Sequence, residues 1–179
     1  GFEEFHEAIK KGSNGEFKSS IEELMKVDKS YSDYARVRGL ISSFYLKNKE
    51  PEKAIQVLED LAKDGYIDEL WIHGVYNIAE VEPLMKEKVH ELLDTYSSKV
   101  FKYETILVKS LIEMNCENYD TVIKLLKSLK PPHCYKPDIL KFLILCYEGL
   151  SDKENLIKQI KVLYAFNPQL KSCRFLIPL

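Results

Sequence analysis

The sequence predicts an all-α fold, a solenoid of antiparallel helix pairs stacked one on the next. Apolar residues recur in columns every 34 residues along the 179-residue chain. Within each unit the apolar spacing is helical and breaks once, so each unit holds two helices. Only seven glycines and seven prolines occur, few enough to leave long helices uninterrupted.

The columns carry the most weight. Ala54 and Leu156 stand 102 residues apart, three times 34, which places equivalent positions at 20, 88 and 122. One residue further on stand Ile21, Ile55, Val89, Ile123 and Ile157, every one a β-branched aliphatic. Four residues after the starting column stand Leu24, Leu58, Leu92, Leu126 and Ile160. Seven after it stand Val27, Leu61, Leu129 and Leu163, with Thr95 the exception. Five units result, starting near 1, 35, 69, 103 and 137, and residues 1–170 are expected to form one repeat domain. A lone helix pair cannot bury its apolar face, so each unit must pack on its neighbour.

In the first unit, Gly12-Ser13-Asn14-Gly15 reads as the turn between two helices. The second unit is the most regular. Tyr34, Val37, Ile41, Phe44 and Tyr45 follow helical spacing, Lys47 to Pro51 interrupts it, and Pro51 suits a first helical turn. Ala54, Ile55, Leu58, Leu61 and Ala62 resume it until Gly65, a good helix stop. The third unit departs most: Trp71, Val75, Ile78 and Ala79 form a helix that Pro83 cuts short. Tyr76 and Lys88 stand where small residues belong, so a kink is expected there. In the fourth unit Ile106, Leu107, Ser110 and Leu111 precede a break at Cys116-Glu117-Asn118. Val122, Ile123, Leu126 and Leu129 follow, and Pro131-Pro132 closes the unit. The fifth runs from Pro137 to Asn167-Pro168. Residues 171–179, with Cys173, Phe175, Leu176, Ile177 and Leu179, read as an apolar tail or the start of a further unit.

Two segments carry a family signature. Ile41-Ser42, Tyr45, Ala54 and Leu58 follow the tetratricopeptide pattern W-x2-L-G-x2-Y then A-x3-F, with Arg38 in place of the tryptophan. Leu143-Ile144, Tyr147, Leu156, Ile160 and Pro168 follow it again. The chain therefore resembles the tetratricopeptide repeats. That resemblance implies a right-handed superhelix whose first helices line a concave, protein-binding face. Transferring the family's inner positions gives Phe5 and Ile9, then Arg36, Ser43 and Lys47, then Leu70, His73 and Asn77. The fourth and fifth units contribute Glu104, Leu107, Leu111, Met114, Lys141 and Leu145. Leu107 and Leu111 stand where the family's carboxylate-clamping members need polar residues, so such a clamp is not expected. The face is apolar with scattered charges, suited to a partner's amphipathic helix or extended segment. The competing reading is that the superhelix or the tail covers these leucines.

Composition removes other classes. The net charge of −2 and pI near 6.2 give no electrostatic footprint for nucleic acid, so nucleic acid is an unlikely partner. No apolar run approaches the roughly 18 residues of a membrane span. Cys116, Cys134, Cys146 and Cys173 are unevenly spaced and read as reduced thiols of an intracellular protein, cytoplasmic or nuclear. His133-Cys134 sit together in a proline-rich loop without further nearby ligands, and no metal or cofactor is expected. Carboxylates such as Glu50, Glu52, Asp152 and Glu154 lie at helix starts, where they favour the helix dipole rather than acid–base chemistry. The expected function is a non-enzymatic scaffold or adaptor, binding another protein as a subunit of a larger assembly. The rival is a pentatricopeptide-like reader of single-stranded RNA.

Overall fold

The computed structural model describes residues 2–97 and 101–168. Ten α-helices and two single-turn 3-10 segments, with no strand, occur among the described residues. They are α1 (Phe2–Ser13), α2 (Phe17–Leu24), α3 (Tyr34–Lys47), α4 (Pro51–Lys63), α5 (Glu69–Val81), α6 (Lys86–Tyr96), α7 (Lys102–Asn115), α8 (Tyr119–Lys127), α9 (Pro137–Gly149) and α10 (Lys153–Phe166). The chain packs as two compact units, Gly1–Thr105 and Ile106–Leu179, divided within α7. Residues 171–179 lie outside the described residues.

The turn inside each pair explains the repeat length. Gly15, Lys49, Glu117 and Ser151 all have positive φ, between 56° and 85°, and are spaced by 34 or twice 34. The amide of the next residue reaches back to a carbonyl five residues earlier, as from Glu50 to Tyr45, Asn118 to Glu113 and Asp152 to Tyr147. The left-handed residue itself donates to the carbonyl three before it. This pair of bonds satisfies helix-end carbonyls and reverses the chain within three residues. In the third pair the equivalent residue is Pro83, whose ring forbids positive φ. A 3-10 turn over Pro83–Met85 replaces the left-handed turn, and α6 starts at Lys86. The pair therefore closes despite Pro83, by a different route.

Gly1–Thr105 holds three complete pairs. The first two repeat one contact in mirrored form: Ser20 Oγ donates to the Ala8 carbonyl, and Ser42 Oγ donates to the Ala54 carbonyl at 3.0 Å. A small residue on each side brings the two backbones close enough for a hydroxyl to bridge them. Phe5, Ala8, Ile21 and Leu24 of the first pair share a core with Val37, Ile41 and Phe44 of the second. The Phe44 ring covers Gly12 so closely that an added Cβ would lie 2.2 Å from its Cζ. Trp71 of α5 donates from Nε1 to the Leu58 carbonyl of α4 at 2.8 Å, which satisfies a buried indole.

Ile106–Leu179 repeats the scheme, with α8 packed on α9 and α9 on α10. Leu126 and Cys146 are fully buried, and the Tyr119 ring lies over Gly149. Ile157 departs from its column. It is 52% exposed, whereas Ile21, Ile55, Val89 and Ile123 are 5%, 8%, 0% and 9% exposed.

Candidate functional site

Within Gly1–Thr105 the first helices of the pairs, α1, α3 and α5, border a cleft enclosing about 400 Å³. Helical spacing decides which side chains reach it. On α3, Val37, Ile41 and Phe44 are committed to the core. That leaves Arg36, Leu40, Ser43 and Leu46 to face the cleft. On α5, Trp71 and Ile78 form part of the wall, while Leu70, His73 and Asn77 stand at it on the exposed side of the helix. Phe5 and Ile9 complete the lining from α1.

The cleft thus brings together Phe5, Ile9, Arg36, Ser43, Leu70, His73 and Asn77. Leu70 is 65% exposed, an aliphatic side chain held in water at the cleft's edge. Lys47 does not line the cleft; its Nζ lies 6.0 Å from the Phe44 ring centroid, where the ring face attracts a cation. Glu104 is half-buried at the start of α7. In Ile106–Leu179, Leu107, Leu111 and Met114 are half-buried, and Lys141 and Leu145 are exposed. Met114 Sδ lies 4.0 Å from the Cys146 thiol, so part of that side chain serves packing.

Several lining residues escaped the positional rule. Leu40, Leu58, Leu61, Trp71 and Ile78 supply much of the apolar wall. Leu58, Leu61, Trp71 and Ile78 read as core in the sequence because the spacing that makes them core also places them beneath the cleft. Asp68 at the rim had a visible signal, an acidic residue just before a helix. Its Oδ1 accepts the Trp71 backbone N–H at 2.8 Å and caps α5. The carboxylate is therefore engaged in the fold.

No cluster of His, Cys, Asp and Glu able to hold a metal occurs among the described residues. Glu50 and Asp152 have their carboxyls held below the ordinary range, by the Lys53 ammonium and by Asn155 hydrogen bonds respectively. Both sit at helix starts outside the cleft. No helix among the described residues is long and apolar enough to cross a membrane.

No protein-family model matches the sequence, and comparison with curated proteins gives no match. Solved structures do match. The nearly identical TPR-like repeats of a kinesin-light-chain-type protein from Podosopora anserina superpose with a TM-score of 0.53 at 13% identity, over 96% of both chains. The protein MamA superposes with a TM-score of 0.56 at 17% identity, over 96% of this chain and 93% of that one. The fold is tetratricopeptide-like. At these identities the likeness speaks for the backbone and leaves the cleft's side chains to this sequence. The departures fit a divergent member of that fold: Arg38 for the signature tryptophan, and Lys49, Glu117 and Ser151 in a left-handed turn that suits glycine.

Proposed function

We propose that the chain is a non-enzymatic protein-interaction module, an intracellular adaptor or scaffold working within a larger assembly. It takes a partner's helix or extended segment in the cleft of α1, α3 and α5. The observation that carries this reading is the cleft itself, about 400 Å³ with an apolar wall and a rim of Arg36, Ser43, His73 and Asn77. An aliphatic or aromatic anchor fills such a space, and separate polar groups fix its orientation. Ile9 and Leu70 extend the apolar surface to either side, where a partner would cover them.

The test is Leu70→Glu. Its side chain is largely in water, so the helical signal and melting temperature should stay near wild type, with a stability change within about 0.5 kcal/mol. Partners captured by the wild-type chain and identified by mass spectrometry should be lost from the variant. Capture that survives Leu70→Glu would remove the cleft from the binding surface.

A further inference from the structure

The turn inside the first pair differs chemically from the turn that repeats it in the second. Asn14 and Asn48 stand 34 residues apart, each just before a left-handed residue. The backbone bonds are the same: the amides of Gly15 and Glu16 donate to the carbonyls of Gly12 and Lys11, and those of Lys49 and Glu50 to Leu46 and Tyr45. The side chains differ. The Asn48 amide donates to Glu50 Oε1 at 2.8 Å, and the Asn118 and Asn155 amides are held by Glu113 and Asp152, each at 2.7 Å. Asn14 is exposed, and among the described residues nothing engages its side-chain amide. The residue that follows it is Gly15, with open space where a Cβ would stand. Asp64 also precedes a glycine, but its carboxylate is tied to Lys29 Nζ at 2.6 Å.

We propose that Asn14-Gly15 is a site of spontaneous covalent modification that loosens the first helix pair with time. The Gly15 main-chain nitrogen attacks Cγ of Asn14, its proton passes to the amide nitrogen, and ammonia leaves. A five-membered succinimide results. Water then adds to one of its two carbonyls and breaks that carbonyl's bond to the Gly15 nitrogen. Opening at Cγ leaves an aspartate. Opening at the main-chain carbonyl leaves an isoaspartate, in which the chain runs through the former side chain. Glycine permits the attack, because its nitrogen swings toward Cγ without carrying a side chain past it. The Gly15 bond to Gly12 must open first, and an exposed turn at a helix end opens readily. Either product places a carboxylate at the C-terminal end of α1, where the helix dipole is already negative. The isoaspartate also lengthens the main chain by one atom, so the bonds from Gly15 and Glu16 no longer close one turn. That loosens α1 from α2, to which the Ser20 hydroxyl ties it through the Ala8 carbonyl, and Phe5 and Ile9 are loosened from the cleft with it.

The full chain, aged in warm neutral buffer, is cut after its glutamates and the fragments are followed by mass spectrometry. The fragment bearing Asn14 should gain the mass of an amide-to-acid exchange at least tenfold faster than the fragment bearing Asn48. Isoaspartyl methyltransferase with S-adenosylmethionine should label the aged wild type and leave aged Asn14→Gln unlabelled. The converted chain should melt below the fresh one, while aged Asn14→Gln keeps its melting temperature. Fresh Asn14→Asp carries the charge without the added atom and should melt above the converted wild type. Four results would overturn the proposal: equal rates at Asn14 and Asn48, conversion at Asn14 only in denaturant, a converted chain that melts as the fresh one does, or methyl labelling that persists in aged Asn14→Gln.

Discussion

Leu58 and Leu126 stand two units apart in sequence, in the same aliphatic column, and both are fully buried. Truncating either to alanine removes buried methyl groups and leaves a cavity that packed helices cannot fully close. Leu58→Ala and Leu126→Ala should each cost about 2–5 kcal/mol in chemical denaturation. Ile157→Ala, one column over at the exposed end, should cost under about 0.5 kcal/mol. Equal losses at all three positions would contradict the burial difference. Cysteine reactivity gives an independent check. Burial pushes the Cys146 thiol up to about 11, whereas Cys116 is exposed. The thiolate is the reactive form, so at neutral pH iodoacetamide should label Cys116 readily and Cys146 only after unfolding. Mass spectrometry of the tryptic peptides distinguishes the two.

At the scale of elements, the turns inside the pairs set the repeat, and they were the least legible part of the sequence. Aliphatic columns announce helices because burial demands them at fixed spacing. A left-handed turn announces itself only through glycine or asparagine, and here Lys49, Glu117 and Ser151 take that conformation instead. Each bears a Cβ where none is welcome, so Lys49→Gly, Glu117→Gly and Ser151→Gly should each stabilise by about 1 kcal/mol. Gly15→Ala should shift the denaturant midpoint the other way. If the three glycine variants destabilise, the turns are held by side-chain contacts and not by backbone geometry. Pro83 was legible as a break but not as a closure, because a 3-10 turn leaves no residue signature of its own. The cleft was legible only in part. The family's positional rule finds the rim, from Arg36 to Asn77, but the wall is built from Trp71, Leu58 and their neighbours, which a sequence shows only as core.

Over the whole chain, 26 basic side chains are interspersed with 28 acidic ones, as in the ion pairs Lys26–Glu23, Lys53–Glu50, Lys63–Glu59 and Lys158–Glu154. Cations tied to neighbouring carboxylates release few counterions to a phosphate backbone. Single-stranded RNA should therefore bind more weakly than micromolar at physiological salt. A submicromolar dissociation constant in a filter or anisotropy assay would favour the RNA-reading alternative over protein binding. The turn built around Pro83 has a consequence for how the chain can change length. The second helices begin at 17, 51, 86, 119 and 153, so the third starts one residue late and the fourth is back in phase. A helix displaced by one residue rotates by about 100°, enough to swing its aliphatic stripe into water. In α6 only the first helical residue comes later: Val89 and Leu92 keep the 34-residue spacing from Ile55 and Leu58 and are buried like them, so the helix has not rotated. A turn of this chain can therefore change its conformation without moving the next helix out of register, whereas a residue inserted within a helix would turn its stripe away from the core. Heritable length change through a helix is confined to whole multiples of the repeat, so duplication and loss of complete pairs are the open routes by which such a stack grows or shrinks.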